Sequence, residues 1–490
     1  MKKVVITSVP YTETSEPLMA PAALKSIVEK TGNVAVAFDL NAIIYNSLQC
    51  NINQKKLKDF FILGHKSKEI LSDIRLLFDD MCSRIVEHHP DIICLSLLHN
   101  ECQVATEWLC YLLRKKAPAA QIIIGGPGIG TTITVVDEDS FISRLKKNQL
   151  IDFYVFGDGE RALEELLTGN NDYPGINNNN WQELDNLDEI PYPNYDDYDL
   201  SLYKSPYLGI LGSRGCVRQC TFCDVHEFWK TFRYRSAQNI FDEIMAQHQK
   251  YNIRKFKFQD SLVNGNMKEY KQLVTLLADY NAKNPSNSIS WSSYFIFRPK
   301  EQMPEEIWRL AALSGARNLI VGVEHFSERI RVHMKKKFDD SSILYGLEMA
   351  EKYGINLHLL MLIGYVIESD QDHQINLQWL HDNQRYAKTS LAKLILGSPL
   401  AILPNTWIDR NQKSLGVTWG SSGNKVIEIR EWAVESTGLT IDVRTSRLQE
   451  MYETAQRLGY SVVTHHAVDN PEVVVENILV KQEDRFCLFD

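Results

Sequence analysis

The segment LGILGSRGCVRQCTFC, residues 208–223, decides how this 490-residue chain is read. It opens as a short apolar strand and passes into a loop rich in glycine and polar residues. Three cysteines follow at C-x3-C-x2-C spacing: Cys216, Cys220 and Cys223. Thiolates are soft ligands that suit iron–sulfur clusters and zinc. Three of them on so short a loop can wrap one corner of a four-iron cubane. One iron then lacks a protein ligand, and an open position on a metal is where a cofactor or substrate binds. Zinc would need a fourth ligand. His226 could supply it, although no second C-x2-C arm is present. The remaining reading, three unrelated buried cysteines, fits a glycine-rich polar loop poorly.

Outward from this loop, residues 208–403 alternate strands and helices. The strand-like segments are LGILGS, KFKFQD, ISWSSYFIF, NLIVGVEH, NLHLLMLIG and LAKLILGS. Ala237–Tyr251, Pro304–Ser314 and Ile343–Tyr353 are the clearest helices between them. Six strand–helix repeats predict a partial βα barrel, open or closed. Upstream, strands are expected at Lys3–Ser8, Val34–Phe38, Asp91–Leu98, Gln121–Ile124 and Phe153–Phe156. Helices are expected at Pro21–Glu29, Ser67–Glu87, Gln103–Lys116 and Glu160–Leu167. Short apolar strands between amphipathic helices imply a parallel sheet covered on both faces, a doubly wound Rossmann-like α/β domain. Ligands of such sheets bind beyond the carboxyl ends of the strands.

The stretch from Asn170 to about Leu200 changes character, with four consecutive asparagines, several prolines and many acidic residues, and reads as a linker. The tail holds a helix around Ser446–Leu458 and a possible strand at Val473–Val480. The expected organisation is therefore a first α/β domain (1–185), a linker (186–205), a βα barrel (206–408) and a small α+β extension (409–490). Nine cysteines without an export signal point to a reducing, cytoplasmic setting rather than disulfide stapling. Cys94, inside DIICLSLL, reads as a small buried hydrophobe. No apolar run is long enough for a membrane span. The net charge of −9 argues against nucleic acid as a partner, and Lys335-Lys336-Lys337 reads as a solvated helix end.

The cysteine spacing, with Phe222 before the last cysteine, resembles the signature of the radical S-adenosylmethionine (SAM) superfamily. In that family the free iron chelates the amino and carboxylate groups of SAM. An electron from the cluster then cleaves the sulfonium to a 5′-deoxyadenosyl radical. The resemblance implies a [4Fe–4S] cluster, bound SAM and an electron donor such as flavodoxin or ferredoxin. It carries over to the later strand ends one by one. Asp260 and Ser261 resemble the segment that meets the methionine amino group. Ser293 and Arg298 are offered by the next strand, and Arg298 would pair with the methionine carboxylate. Glu324 would face the ribose hydroxyls, with His325 standing where a small residue is usual. Gly364 and Glu368 resemble the adenine segment. For each, a packing or strand-end role is the alternative.

The first domain resembles the cobalamin-binding domain that precedes many radical SAM domains. Its GGP turn (Gly125, Gly126) and FGDGE turn (Asp158) match best, and Ser8 and His99 lie on neighbouring strand ends. The Asp-x-His-x-x-Gly motif that supplies a lower cobalt ligand is missing, as is common in that subfamily. The resemblance implies a radical SAM enzyme, with cobalamin-dependent methyl transfer, rearrangement or cyclisation as the reaction. The alternatives are the same enzyme without cobalamin, and a non-enzymatic iron–sulfur or zinc module.

Overall fold

The computed structural model describes residues 1–10, 16–47, 68–99, 102–130, 140–203, 207–420 and 430–464. The chain divides into two compact units, with the division at Gly209/Ile210.

The first unit is built on β1 (Lys3–Ser8), β2 (Val34–Phe38), β3 (Ile92–Ser96), β4 (Gln121–Gly125) and β5 (Phe153–Val155). They form one parallel sheet in the order β2-β1-β3-β4-β5. Strand β1 is buried over five of its six residues, as a strand covered on both faces requires. The covering helices are α1 (Met19–Lys30), α2 (Leu40–Ser47), α3 (Lys68–Val86), α4 (Gln103–Lys116), α5 (Phe141–Lys147) and α6 (Gly159–Thr168). Phe78 of α3 meets Trp108 of α4 edge to face at 5.4 Å. The strand order reverses between β1 and β3, which places the switch-point crevice beyond Ser8 and Ser96.

The acidic, asparagine-rich stretch is not a loose linker. Its aromatic residues give it a reason to pack. Tyr195, Tyr198 and Tyr203 are buried, and Asp197 pairs with the buried Lys25 at 2.5 Å. The Tyr203 hydroxyl donates to Asp39 at 2.7 Å, and the Tyr198 hydroxyl donates to the Leu18 carbonyl at 2.9 Å. The segment is a strap that completes the first unit.

The second unit is a seven-stranded sheet. Its strands are β6 (Leu208–Ile210), β9 (Lys255–Phe258), β10 (Ser290–Phe295), β11 (Ala316–Glu324), β12 (Asn356–Met361), β13 (Leu391–Leu396) and β16 (Val462–Thr464). Neighbours in space follow the order β6-β9-β10-β11-β12-β13-β16, so among the described residues β6 and β16 are edges and the sheet is open. From β9 onward the pairs are parallel. Two small antiparallel pairs lie outside it: β7 (Ser213–Arg214) with β8 (Arg233–Tyr234), and β14 (Val417–Trp419) with β15 (Trp432–Val434). The helices are α7 (Val225–Phe228), α8 (Ala237–Tyr251), α9 (Met267–Lys283), α10 (Glu305–Leu313), α11 (Glu328–His333), α12 (Asp340–Tyr353), α13 (Asp370–Asp382), α14 (Trp407–Arg410) and α15 (Ile441–Arg457).

Local signals fix these helix ends. Ser236 caps α8, and Asn252, at φ 55°, ends it. A capping box between Ser369 and Asp372 starts α13. Within the expected C-terminal extension, Val462–Thr464 adds a strand to the sheet. Strand β16 pairs with β13, and the Tyr460 hydroxyl beside it donates to the Leu380 carbonyl of α13 at 2.8 Å. The strand expected at Val473–Val480 lies outside the described residues.

Candidate metal and cofactor site

The cysteine loop leaves β6 through Gly212 and Ser213, and Asp260, just past β9, holds that exit. One carboxylate oxygen accepts from the Gly212 amide and the other from the Ser213 hydroxyl, both at 2.7 Å. A Cβ on Gly212 would stand 2.8 Å from the same carboxylate. Burial pushes the Asp260 carboxyl up to about 7, against the downward pull of those hydrogen bonds. Ser261, the next residue, is exposed. Gly215 turns the chain into Cys216 at φ 81°, where a Cβ would lie 2.5 Å from the Thr231 carbonyl. Only glycine satisfies both demands.

Between Cys220 and Cys223 the loop is clamped. The fully buried Thr221 donates its amide to the Met334 carbonyl (3.3 Å), and its own carbonyl accepts from Ile408 (3.1 Å). Its hydroxyl shares a 2.6 Å hydrogen bond with the Tyr365 hydroxyl, which also meets His333 Nδ1 at 2.8 Å. The Arg218 amide points at the Cys216 sulfur at 3.4 Å. Cys220 is buried, while Cys216 and Cys223 are half-buried. Burial pushes all three thiols up, Cys223 to about 12, and the Cys223 thiol also feels the sulfurs of Cys220 and Cys216.

Among the described residues, no three His, Cys, Asp or Glu side chains converge closely enough to bind a single metal ion. His226 turns to Glu227 at 3.3 Å. A cubane makes no such demand, because each thiolate meets a different iron. A soft, three-thiol set on a rigid loop fits that donor pattern.

The other residues expected from sequence fall into two groups. Glu324 ends β11 at φ 67°, and its carboxylate accepts from Lys336 Nζ at 2.8 Å. The Phe222 ring stands 5.4 Å from the same ammonium. These three residues gather beside the cysteine loop. Arg298, Gly364 and Glu368 are instead occupied by the protein. Arg298 donates to the carbonyls of Asn264 (2.7 Å) and Gly265 (2.9 Å), and burial lowers its pKa to about 10. Gly364, at φ 75°, makes room for a side chain: its Cβ would lie 2.3 Å from Cγ of Arg444.

Glu368 is fully buried, with both oxygens engaged. They accept from the amides of Gly364 (2.8 Å) and Tyr365 (3.1 Å) and from Arg447 (3.0 Å), and His325 stands at 3.4 Å. It shapes the turn after β12. The Ser293 hydroxyl is buried and donates to the Tyr294 carbonyl at 2.9 Å.

In the first unit, the Ser8 hydroxyl donates to Asp39 at 2.5 Å, and Asp158 accepts from the Leu184 amide at 2.7 Å. Both side chains are buried. Gly126, at φ 99°, lets the β4 turn close on Leu97, whose carbonyl would stand 2.5 Å from a Cβ there. Gly125 is half-buried at the end of β4, and His99 is exposed beyond β3.

Sequence reasoning missed Lys336, Tyr365, His333, Arg444 and Arg447. Lys336 is only 8% exposed, unlike its neighbours Lys335 and Lys337. The alternation Met334-Lys335-Lys336-Lys337-Phe338 carried the signal, since apolar residues flank Lys336 at two-residue spacing.

The profile of the radical SAM superfamily matches residues 210–377, from the end of β6 into α13. These residues carry a radical SAM superfamily domain. An uncharacterised methyltransferase of Pyrococcus horikoshii is 23% identical over 62% of this chain and 67% of its own length. A cytidylyl-2-hydroxyethylphosphonate methyltransferase of Streptomyces wedmorensis is 27% identical over 36% of this chain and 34% of its own. An anaerobic magnesium-protoporphyrin IX monomethyl ester cyclase of Synechocystis is 24% identical over 56% of each. The chain thus spans between a third and two thirds of these relatives. Among solved structures, the radical SAM methyltransferase TsrM of Kitasatospora setae, with cobalamin and a [4Fe–4S] cluster bound, shares the fold. Its TM-score is 0.63 at 15% identity, over 86% of this chain and 81% of that one. The cobalamin-dependent radical enzyme OxsB gives 0.57 at 18% identity, over 93% of this chain and 61% of that one.

Proposed function

We propose that this protein is a radical SAM enzyme that cleaves SAM reductively at a [4Fe–4S] cluster held by Cys216, Cys220 and Cys223. Its onward reaction is cobalamin-dependent methyl transfer or rearrangement. The observation that carries the reading is the three-thiol loop at the carboxyl end of β6, clamped by Asp260 and Thr221, within the segment matched to the family. When bound, the cluster supplies an electron and an open iron for SAM, and cobalamin supplies a methyl carrier.

The chain's own residues do the rest. Asp260 fixes where the loop begins, and Thr221 fixes the spacing of Cys220 and Cys223. Glu324, held by Lys336 and lifted out of regular strand geometry, is the polar group presented to the cofactor's ribose. The first unit's strand ends beyond β1 and β3, at the switch point, are the seat for cobalamin. The likeness to TsrM and OxsB supports that placement, and Gly126 holds the neighbouring turn close. A flavodoxin- or ferredoxin-type donor in the cytoplasm would provide the electron.

Anaerobic reconstitution with iron and sulfide, then incubation with SAM and dithionite, tests the reading. It predicts 5′-deoxyadenosine or S-adenosylhomocysteine in amounts that require Cys216, Cys220 and Cys223. Protein-bound cobalt is expected after incubation with hydroxocobalamin. Turnover of SAM without bound cobalt would favour a radical SAM enzyme whose first unit serves another purpose.

A further inference from the structure

Lys336 is buried, and its ammonium donates to the Gly322 carbonyl at 2.9 Å and to Glu324 at 2.8 Å. The backbone around this ion pair is unusual. Lys335, Lys337 and Glu324 all sit in the left-handed region, at φ 61°, 56° and 67°. Each such non-glycine residue carries a conformational cost, and such costs gather at functional positions. Gly322 completes the arrangement: a Cβ there would stand 2.4 Å from the Glu324 carboxylate and 3.1 Å from the ammonium. A buried ion pair is weak ground for stability, so stability alone does not account for the strain.

The pair lies against the cysteine loop. Met334, two residues before Lys336, accepts the Thr221 amide at 3.3 Å. The ammonium lies 5.4 Å from the ring of Phe222, the residue before Cys223. The pair therefore turns its ammonium to the face of Phe222, inside the cysteine loop.

We propose that Lys336 sets the reduction potential of the metal centre held by these cysteines, raising it so that the electron-added state is favoured. This rests on the three-cysteine reading. The step is a one-electron transfer: a low-potential donor loses one electron and the centre gains it, so negative charge rises beside the ammonium. In a dry site a fixed cation acts strongly on such a charge. Net charge near an iron–sulfur centre is one of the levers that set its potential. Lys336 touches no reacting atom in this role and is a positioning residue.

The test is a dithionite redox titration of reconstituted full-length protein, followed by electron paramagnetic resonance, on wild type, Lys336→Met, Lys336→Arg and Glu324→Gln. Lys336→Met should lower the reduction equilibrium constant at least tenfold, which is 59 mV for a one-electron couple. Glu324→Gln should move the potential the other way, and Lys336→Arg should stay near wild type. An unchanged or raised potential in Lys336→Met overturns the proposal. Should that variant not fold, an unchanged or lowered potential in Glu324→Gln overturns it equally. A wild-type chain that takes up no iron–sulfur centre strikes down the three-cysteine reading itself, an outcome visible before any variant is compared.

Discussion

Arg447 of α15 holds the tail helix to the turn after β12, and replacing it with methionine isolates that contact. In the structure its guanidinium donates to the Glu368 carboxylate (3.0 Å), the Glu368 carbonyl (3.3 Å) and Asp370 (2.7 Å). The Asp370 side chain is almost fully exposed, so that arm contributes little. The Glu368 arm is different, because Glu368 is fully buried. Breaking a buried pair from one side leaves an uncompensated charge, at a cost of about 3–5 kcal/mol. Two backbone amides and His325 still face Glu368, so the lower end, about 3 kcal/mol, is expected in Arg447→Met. At roughly 2–4 °C per kcal/mol for a unit of this size, the melting point should fall by about 6–12 °C.

The pH dependence has a definite sign. Burial pushes the Glu368 carboxyl up, but the hydrogen bond from His325 and the charge of Arg447 outweigh it, and the folded pKa is depressed. The stabilisation is therefore present above the unfolded glutamate value of about 4.3 and is lost as pH falls through the folded value. The gap between wild type and Arg447→Met should narrow on acidification. Glu368→Gln added to Arg447→Met should recover part of the loss by removing the stranded charge. Urea unfolding at pH 7.5 and at about pH 3, below the unfolded glutamate value, followed by circular dichroism, measures all three. A loss under 1 kcal/mol, or one equal at both pH values, would refute the reasoning.

Other expectations concern the cysteine loop. Gly215→Ala forces a Cβ against the Thr231 carbonyl at an unfavourable φ, at a cost of about 1–3 kcal/mol; iron bound after reconstitution should drop while circular dichroism stays native. Tyr365→Phe strips the Thr221 and His333 hydroxyl contacts from a buried site, and unfolding should register about 1–2 kcal/mol lost. Asp260 has a folded pKa of about 7 against about 3.9 unfolded, so it lowers stability as pH rises from 5 to 8. In Asp260→Asn that contribution disappears, and the wild-type-minus-variant difference should fall across this range; a flat difference counts against the assignment.

Much of the architecture was legible because it rests on periodicity. Strands such as β1 and β12 are apolar runs bounded by turns, and the cysteine spacing marked the loop after β6. What escaped the sequence depended on partners far along the chain. Asp197 looked like one more acid in a solvated linker until Lys25 appeared beside it. Glu368 and Gly364 sit at strand-end positions where a ligand contact was expected, yet Arg447 and Arg444, about 80 residues later, occupy them. Lys336 was hidden in a run of three lysines, because only the backbone twist at Lys335 and Lys337 turns the middle one inward. The tail was read as an appendage because a three-residue strand such as β16 carries almost no pattern of its own.

The central claim is tested most directly by iron analysis and electron paramagnetic resonance of the anaerobically reconstituted, dithionite-reduced chain, before and after SAM is added. The account predicts about four irons per chain and a reduced-cluster signal that changes on adding SAM. That signal should be lost in Cys216→Ala, Cys220→Ala and Cys223→Ala but kept in Cys94→Ala, whose thiol is buried away in β3. Stoichiometric zinc in place of iron, or a signal unmoved by SAM and intact in any of the three loop variants, would contradict it.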